Sequence, residues 1–239
     1  MQDMSPSASV SGEKFLETRL QEMEQRVRAG NACDVVFDLD NTLFDTRART
    51  AWVARTFDLI HDTNHFQSMT LDQVGVDGRE TCARMGIVAP ELTDAFARFW
   101  EENFWDGSAF PHDAPVEPVL TWARRAAQTG AEVRFLTGRI DALRIATVAQ
   151  LSRVGFGGVT RASLWMKPDL PTRTLTFKES MLRKSMQRGW LGWYATEGRD
   201  EIAHLQRTIP GGPWVLVDCS LQQGGPQVAL DTPTLARAF

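Results

Sequence analysis

Residues 34–46 read Asp-Val-Val-Phe-Asp-Leu-Asp-Asn-Thr-Leu-Phe-Asp-Thr, and no other stretch constrains the fold as much. Val35, Val36 and Phe37 form a short apolar run that ends in two carboxylates, Asp38 and Asp40. Such a run suits a strand buried in a parallel sheet. Two acids one residue apart at its end work against folding, because like charges repel and burying a carboxylate is costly. The arrangement makes chemical sense if a divalent cation sits between them, or if one acid attacks while the other moves a proton. Asp40-Asn41 would also suit an ordinary turn after a strand, so the rest of the chain has to decide.

Beyond Pro111, Pro115 and Pro118 the pattern alternates. Helices are expected at 117–128, 141–153, 178–187 and 200–207, stopped in three cases by Gly130, Gly155 and Gly189. Strands are expected at 132–136, 163–166, 192–196 and 214–217. This is the signature of an α/β fold, a parallel sheet with helices on both faces, whose ligands bind beyond the carboxyl ends of the strands. Upstream, residues 1–11 are rich in Ser and small side chains and read as a disordered tail. Residues 12–29 carry Phe15, Leu16, Leu20, Met23 and Val27 at helical spacing, closed by Gly30. Residues 46–112 read as mainly helical, with Val53, Phe57 and Ile60 and then Leu92, Phe96, Phe99 and Trp100 in register, around a polar stretch from Asp72 to Gly86. The expected division is a core of 12–45 and 113–239 with a small, mostly helical insert at 46–112.

Composition narrows the function classes. The chain is 43% apolar and 23% charged, ordinary for a globular protein. It has no apolar run long enough to span a membrane, and its first residues lack the apolar core of a secretory signal. Three widely spaced cysteines fit reduced thiols and a cytoplasmic setting. A net charge of −4 argues against general affinity for nucleic acid. Residues 139–189 nevertheless hold ten Lys or Arg against three acids, which reads either as a solvated basic face or as a field that draws in an anionic substrate. Nothing in the pattern specifies an oligomer.

Three further groups bear on chemistry. Thr137-Gly138-Arg139 follows a core strand, where a hydroxyl and a glycine can hold an anion close to the backbone; Arg139 could touch the same anion or form an ordinary ion pair. Lys178, expected at the start of a helix, could neutralise crowded negative charge, with Lys167 and Lys184 as rivals. Glu197-Gly-Arg-Asp200-Glu201 follows the strand at 192–196 and offers further acids, although Asp200 and Glu201 would equally complement a helix dipole. Asp218 is a later alternative.

In this order, Asp38-x-Asp40-x-Thr42, Thr137-Gly138-Arg139, Lys178 and the acids from Glu197 resemble motifs I to IV of the haloacid dehalogenase-like superfamily over about residues 34 to 220. The resemblance implies a three-layer Rossmann-like core with 46–112 as a cap. It implies a phosphatase hydrolysing a small phosphorylated substrate. Asp38 would be the nucleophile, Asp40 the proton donor and acceptor, and Thr137 and Lys178 phosphoryl ligands. Thr42, Gly138 and Arg139 would contact phosphate, and Mg2+ would be held by Asp38, Asp40, Glu197 and Asp200. The fourth motif departs from the family, which places Asp where Glu197 stands. An acid at position 40 opposes dehalogenation, and the absence of Lys from 46–112 opposes Schiff-base chemistry. Phosphomutase or phosphotransferase activity, a binding protein on a decayed scaffold, and nucleic-acid end processing are the alternatives.

Overall fold

The computed structural model describes residues 11–219, 228–229 and 231–236; the tail expected at 1–11 lies, but for Ser11, outside the described residues. In chain order the first elements are α1 (Gly12–Arg28), β1 (Cys33–Phe37), β2 (Phe44–Asp45), α2 (Arg47–His61), α3 (Gly78–Arg84) and α4 (Pro90–Phe104). Then come β3 (Ala114–Pro115), α5 (Glu117–Gln128), β4 (Glu132–Ile140), α6 (Arg144–Arg153) and β5 (Leu164–Lys167). The last are α7 (Thr174–Arg188), β6 (Trp190–Thr196), α8 (Arg199–Thr208), β7 (Trp214–Val217) and β8 (Thr234–Leu235). The described chain divides into two compact units, 1–43 with 116–138 and 160–239, and 44–115 with 139–159.

The first unit is built on a sheet in the order β5-β4-β1-β6-β7-β8. β1 is parallel to β4 on one side and to β6 on the other, and the parallel pairing continues through β7 to β8. Strand order therefore reverses around β1, and the crevice at such a switch point lies beyond its carboxyl end. All five residues of β1 are buried, which explains why Val35, Val36 and Phe37 run apolar where a half-exposed strand would alternate; the one charged residue, Asp34, is paired with Arg134 and accepts from Ser185 Oγ at 2.6 Å.

Side-chain alternation divides the sheet into two faces. On one, Val36, Leu136, Tyr194 and Leu216 join Leu182 of α7 and Ile202 and Leu205 of α8 in a single core. On the other, Phe37 meets Trp193 edge to face at 6.0 Å, and Met23 of α1 sits where a Cβ on Gly192 would come within 2.6 Å of its Cε. Glycine at 192 lets the helix lie close to the strand. The result is the expected three layers.

The second unit packs α2, α3 and α4 around phenylalanines, with the Phe66 and Phe96 ring centroids 4.2 Å apart and Phe57 edge to face on Phe96. β2 and β3 pair antiparallel. The polar stretch at 72–86 contains α3, whose N-cap Asp77 accepts from the Glu80 amide at 2.8 Å, an Asp-x-x-Glu start signal. Residues 139–159 were expected with the sheet domain, yet they group with 44–115. Buried hydrogen bonds explain it: Gln150 of α6 donates to Asp113 Oδ2 at 2.6 Å and to the Phe110 carbonyl at 3.3 Å. No helix among the described residues is long and apolar enough to cross a membrane.

Candidate active site

The site grows from the end of β1. The Asp38 amide donates to the Ala195 carbonyl at 2.9 Å, continuing the β1–β6 ladder by one residue. The chain then turns, with Leu43 N bonded to Leu39 O at 2.9 Å and Asn41 left-handed at φ 55°, a conformation Asn tolerates better than most residues. The turn leaves Asp38 buried and Asp40 partly exposed. Asp38 Oδ1 accepts from the Leu39 amide at 2.7 Å. Its Oδ2 accepts from Lys178 Nζ at 2.5 Å and from Thr196 Oγ1 at 3.2 Å.

Lys178 is also bonded to Glu201 Oε2 at 2.8 Å, and the other Glu201 oxygen accepts from the Tyr194 hydroxyl. Thr42 is fully buried. Its hydroxyl donates to Glu197 Oε2 at 2.7 Å and accepts from the Glu197 amide at 3.0 Å, tying the loop after β1 to the loop after β6. Asp38, Lys178, Glu201, Tyr194, Thr42 and Glu197 therefore form one connected group within the first unit, assembled from β1, β6, α7, α8 and their loops.

Negative charge is in excess here. Burial, reinforced by the charge of Glu201 and opposed by Lys178, pushes Asp38 up to about 6. Glu197 is pushed up to about 8, first by its withdrawal from water and then by the charge of Asp38. Burial alone would lower Lys178, but the charges of Asp38, Glu201 and Glu197 hold its ammonium well above the ordinary lysine value. Tyr194 is likewise held far above a normal phenol, by burial and then by Glu201 and Asp38, so it remains a donor. Perturbed carboxylates packed against a fixed cation are a pattern concentrated at functional sites.

Comparison with known proteins bears on the fold. No family model matches the sequence, and no curated protein matches it. Solved structures do match. A hydrolase of the haloacid dehalogenase superfamily, subfamily IA, from Geobacter sulfurreducens is 12% identical, covering 79% of this chain and 88% of its own, with a TM-score of 0.55. A haloacid dehalogenase-like hydrolase from Streptococcus pneumoniae is 10% identical over 87% of this chain and 94% of its own, at 0.55. Protein tyrosine kinase A of Mycobacterium tuberculosis is 14% identical over 86% and 94%, also at 0.55. The chain has the haloacid dehalogenase-like fold.

Within this haloacid dehalogenase-like core, not every residue singled out from the sequence lies in the connected group. Thr137 is fully buried inside β4, which runs on to Ile140 rather than stopping at 136. The last pair between the strands is Phe37 with Phe135, so Thr137 lies level with the turn after β1. Gly138 supports α7: a Cβ there would meet Thr174 Cγ2 at 3.1 Å. Lys178 sits a full turn inside α7, which starts at Thr174 and not at 178. Of its rivals, Lys184 is exposed and Lys167 is buried at the end of β5.

Four other residues singled out from the sequence make different contacts or lie exposed. Asp200 is exposed on the first turn of α8, while Glu201 faces the sheet and reaches Lys178; successive helical residues point about 100° apart, so only one of the two can face inward. Asp218 is exposed too. Arg139 is buried within the second unit, bonded to Gln150 Oε1 at 2.7 Å and Thr147 Oγ1 at 3.3 Å, with its guanidinium 3.9 Å from the Phe110 ring centre. Thr42 commits its hydroxyl to Glu197. The sequence reading missed Tyr194 and Thr196, whose signal was a polar group placed in a strand otherwise filled with Trp, Leu and Ala.

The donor set suits a hard divalent cation. Among the described residues no three His, Cys, Asp or Glu side chains form a ready cage. Magnesium does not require one, since it is commonly held by one or two carboxylates with water and substrate oxygens completing the shell. Asp38 and Glu197, both reached by the Thr196 hydroxyl, supply two such carboxylates, and the surplus of buried carboxylate gives a cation something to offset.

Proposed function

We propose that the chain is a magnesium-dependent phosphatase that hydrolyses a small phosphate monoester through an aspartyl-phosphate on Asp38. The observation that carries this reading is the Lys178 ammonium 2.5 Å from Asp38 Oδ2 at the carboxyl end of the central strand, with Asp40 two residues on. A carboxylate so paired stays ionised and oriented for attack, and the cation beside it favours the charge that builds on a transferring phosphoryl group.

In this scheme an Asp38 oxygen forms the new bond to phosphorus while the bond to the leaving oxygen breaks. Asp40 gives that oxygen its proton. Asp40 then takes a proton from water, whose oxygen bonds to phosphorus and releases Asp38 and inorganic phosphate. Lys178 and Thr137 hold the phosphoryl oxygens in line. Asp38, Asp40 and Glu197 would hold magnesium, which offsets phosphoryl charge when bound. By family resemblance, residues 46–112 would serve as the cap that selects the leaving group.

The competing reading is transfer to an acceptor other than water. It is favoured by the similarity in fold to a protein tyrosine kinase. Hydrolysis of an aryl phosphate by wild type and Asp38→Asn, with magnesium and with chelator, tests the scheme. Magnesium-dependent release of phosphate, lost in the variant, is expected. Normal turnover by Asp38→Asn would sink the mechanism, and phosphate release only when an alcohol acceptor is supplied would favour transfer.

A further inference from the structure

Tyr194 has no place in the scheme above, yet it belongs to a continuous chain of buried polar contacts. Its hydroxyl donates to Glu201, Glu201 accepts from Lys178 at 2.8 Å, and Lys178 donates to Asp38 at 2.5 Å; the Tyr194 hydroxyl is also bonded to Thr196, which donates to Asp38 at 3.2 Å. Tyr194 is fully buried, and Glu201, Lys178 and Asp38 are each 6% exposed or less. Its ring already meets Trp214 edge to face at 6.4 Å within the core shared by α7 and α8. Phenylalanine would supply that packing equally well, so the hydroxyl answers another need.

We propose that Tyr194 is a positioning residue, whose hydroxyl fixes the Glu201 carboxylate so that Glu201 in turn holds the Lys178 ammonium against Asp38. The proposal rests on the phosphatase reading and adds to it the device that sets its cation. Lysine ends in a flexible four-carbon stem and makes no fork-shaped contact of its own. Asp38 and Glu201 give its ammonium two fixed acceptors. A buried carboxylate bonded at only one oxygen can rotate and is incompletely satisfied; with Tyr194 on Oε1 and Lys178 on Oε2 its plane is set. Preorganised charge of this kind acts in the transition state without reorganising.

The chain holds a single tyrosine, so protein labelled with 13C at the tyrosine ζ carbon gives one resonance that reports on Tyr194 alone. In metal-free protein this signal is expected to move in Glu201→Gln and in Lys178→Met, and to stay fixed in Asp200→Asn. A signal indifferent to both Glu201 and Lys178 would overturn the proposal. In aryl phosphate kinetics, run well below the melting temperature of each variant, Tyr194→Phe is expected to lower kcat about ten- to thirtyfold with KM moved less than about threefold, as for an interaction realised in the transition state. Glu201→Gln should cost a similar factor, and the double variant no more than the larger single loss. A kcat within twofold of wild type for Tyr194→Phe, or fully additive losses, would also overturn it. If wild type hydrolyses no phosphate ester, the phosphatase reading fails, and the resonance alone then decides whether Tyr194 governs Lys178.

Discussion

Two of the buried charge clusters among the described residues, one in each unit, answer burial differently. In the second unit, Arg49 pairs with both oxygens of Asp113, Gln150 reaches the same carboxylate, and the two guanidiniums of Arg49 and Arg139 lie 4.5 and 3.9 Å from the Phe110 ring centre. Planar, weakly hydrated guanidiniums suit such a place, since forked hydrogen bonds and an aromatic face replace water. In the first unit, Asp38, Glu197 and Glu201 crowd one ammonium, and two of these acids are pushed up to about 6 and about 8. Burial of charge does not mark a site. A surplus of carboxylate held open beside one lysine does.

The contrast is broken most severely at its two acids. Asp38→Asn removes the proposed nucleophile and should lower turnover by on the order of 10⁴ or more. The same change relieves a surplus of negative charge, so its melting temperature should match or exceed wild type. Asp113→Asn should do the reverse. It removes the negative charge that two buried guanidiniums face and should cost about 3–5 kcal/mol of stability, read as a lower urea midpoint. If Asp38→Asn destabilised as much as Asp113→Asn, the two clusters would be alike and the argument from surplus charge would fall.

Arg139 sharpens the comparison, because its sequence signal and its surroundings disagree. Arg139→Ala is expected to cost about 2–3 kcal/mol of stability through the lost bonds to Gln150 and Thr147, with KM for an aryl phosphate near wild type in folded protein. A KM raised tenfold without loss of stability would return Arg139 to phosphate binding.

These residues also indicate what sequence can and cannot say. β1, β5, β6, β7, α1 and α5 were legible to within about two residues, because buried parallel strands read as apolar runs and their helices carry glycine stops and helical periodicity. The start of α7 was not, since Thr174 and Thr176 are poor helix formers and the turn they make is held by packing on Gly138. β8 is two residues long, too short to carry a pattern. In the site, Asp38 and Asp40 were legible because two acids closing a buried apolar run oppose folding and so point to chemistry. Arg139 stayed open between phosphate contact and an ion pair for a different reason. A Thr-Gly-Arg string does not reveal that Gln150, eleven residues on, and Asp113 lie against its guanidinium, and contacts made across the chain leave no local trace.

The smallest expected effect separates two neighbouring acids. Asp200 and Glu201 stand side by side, and either spacing suited a fourth motif. The rotation of α8 exposes Asp200 and turns Glu201 onto Lys178. Asp200→Asn should therefore leave turnover within twofold and stability within about 0.5 kcal/mol, as expected of an exposed charge near a helix N-terminus. Its magnesium dependence, followed by titrating activity against metal concentration, should overlay that of wild type. The Glu197→Gln curve should shift to higher metal by about tenfold or more, since a carboxyl that can give up its proton to the cation is replaced by an amide that cannot. A shift in Asp200→Asn with none in Glu197→Gln would mean that α8 turns its other face to the cation in solution, and the assignment of metal-facing acids would have to be exchanged.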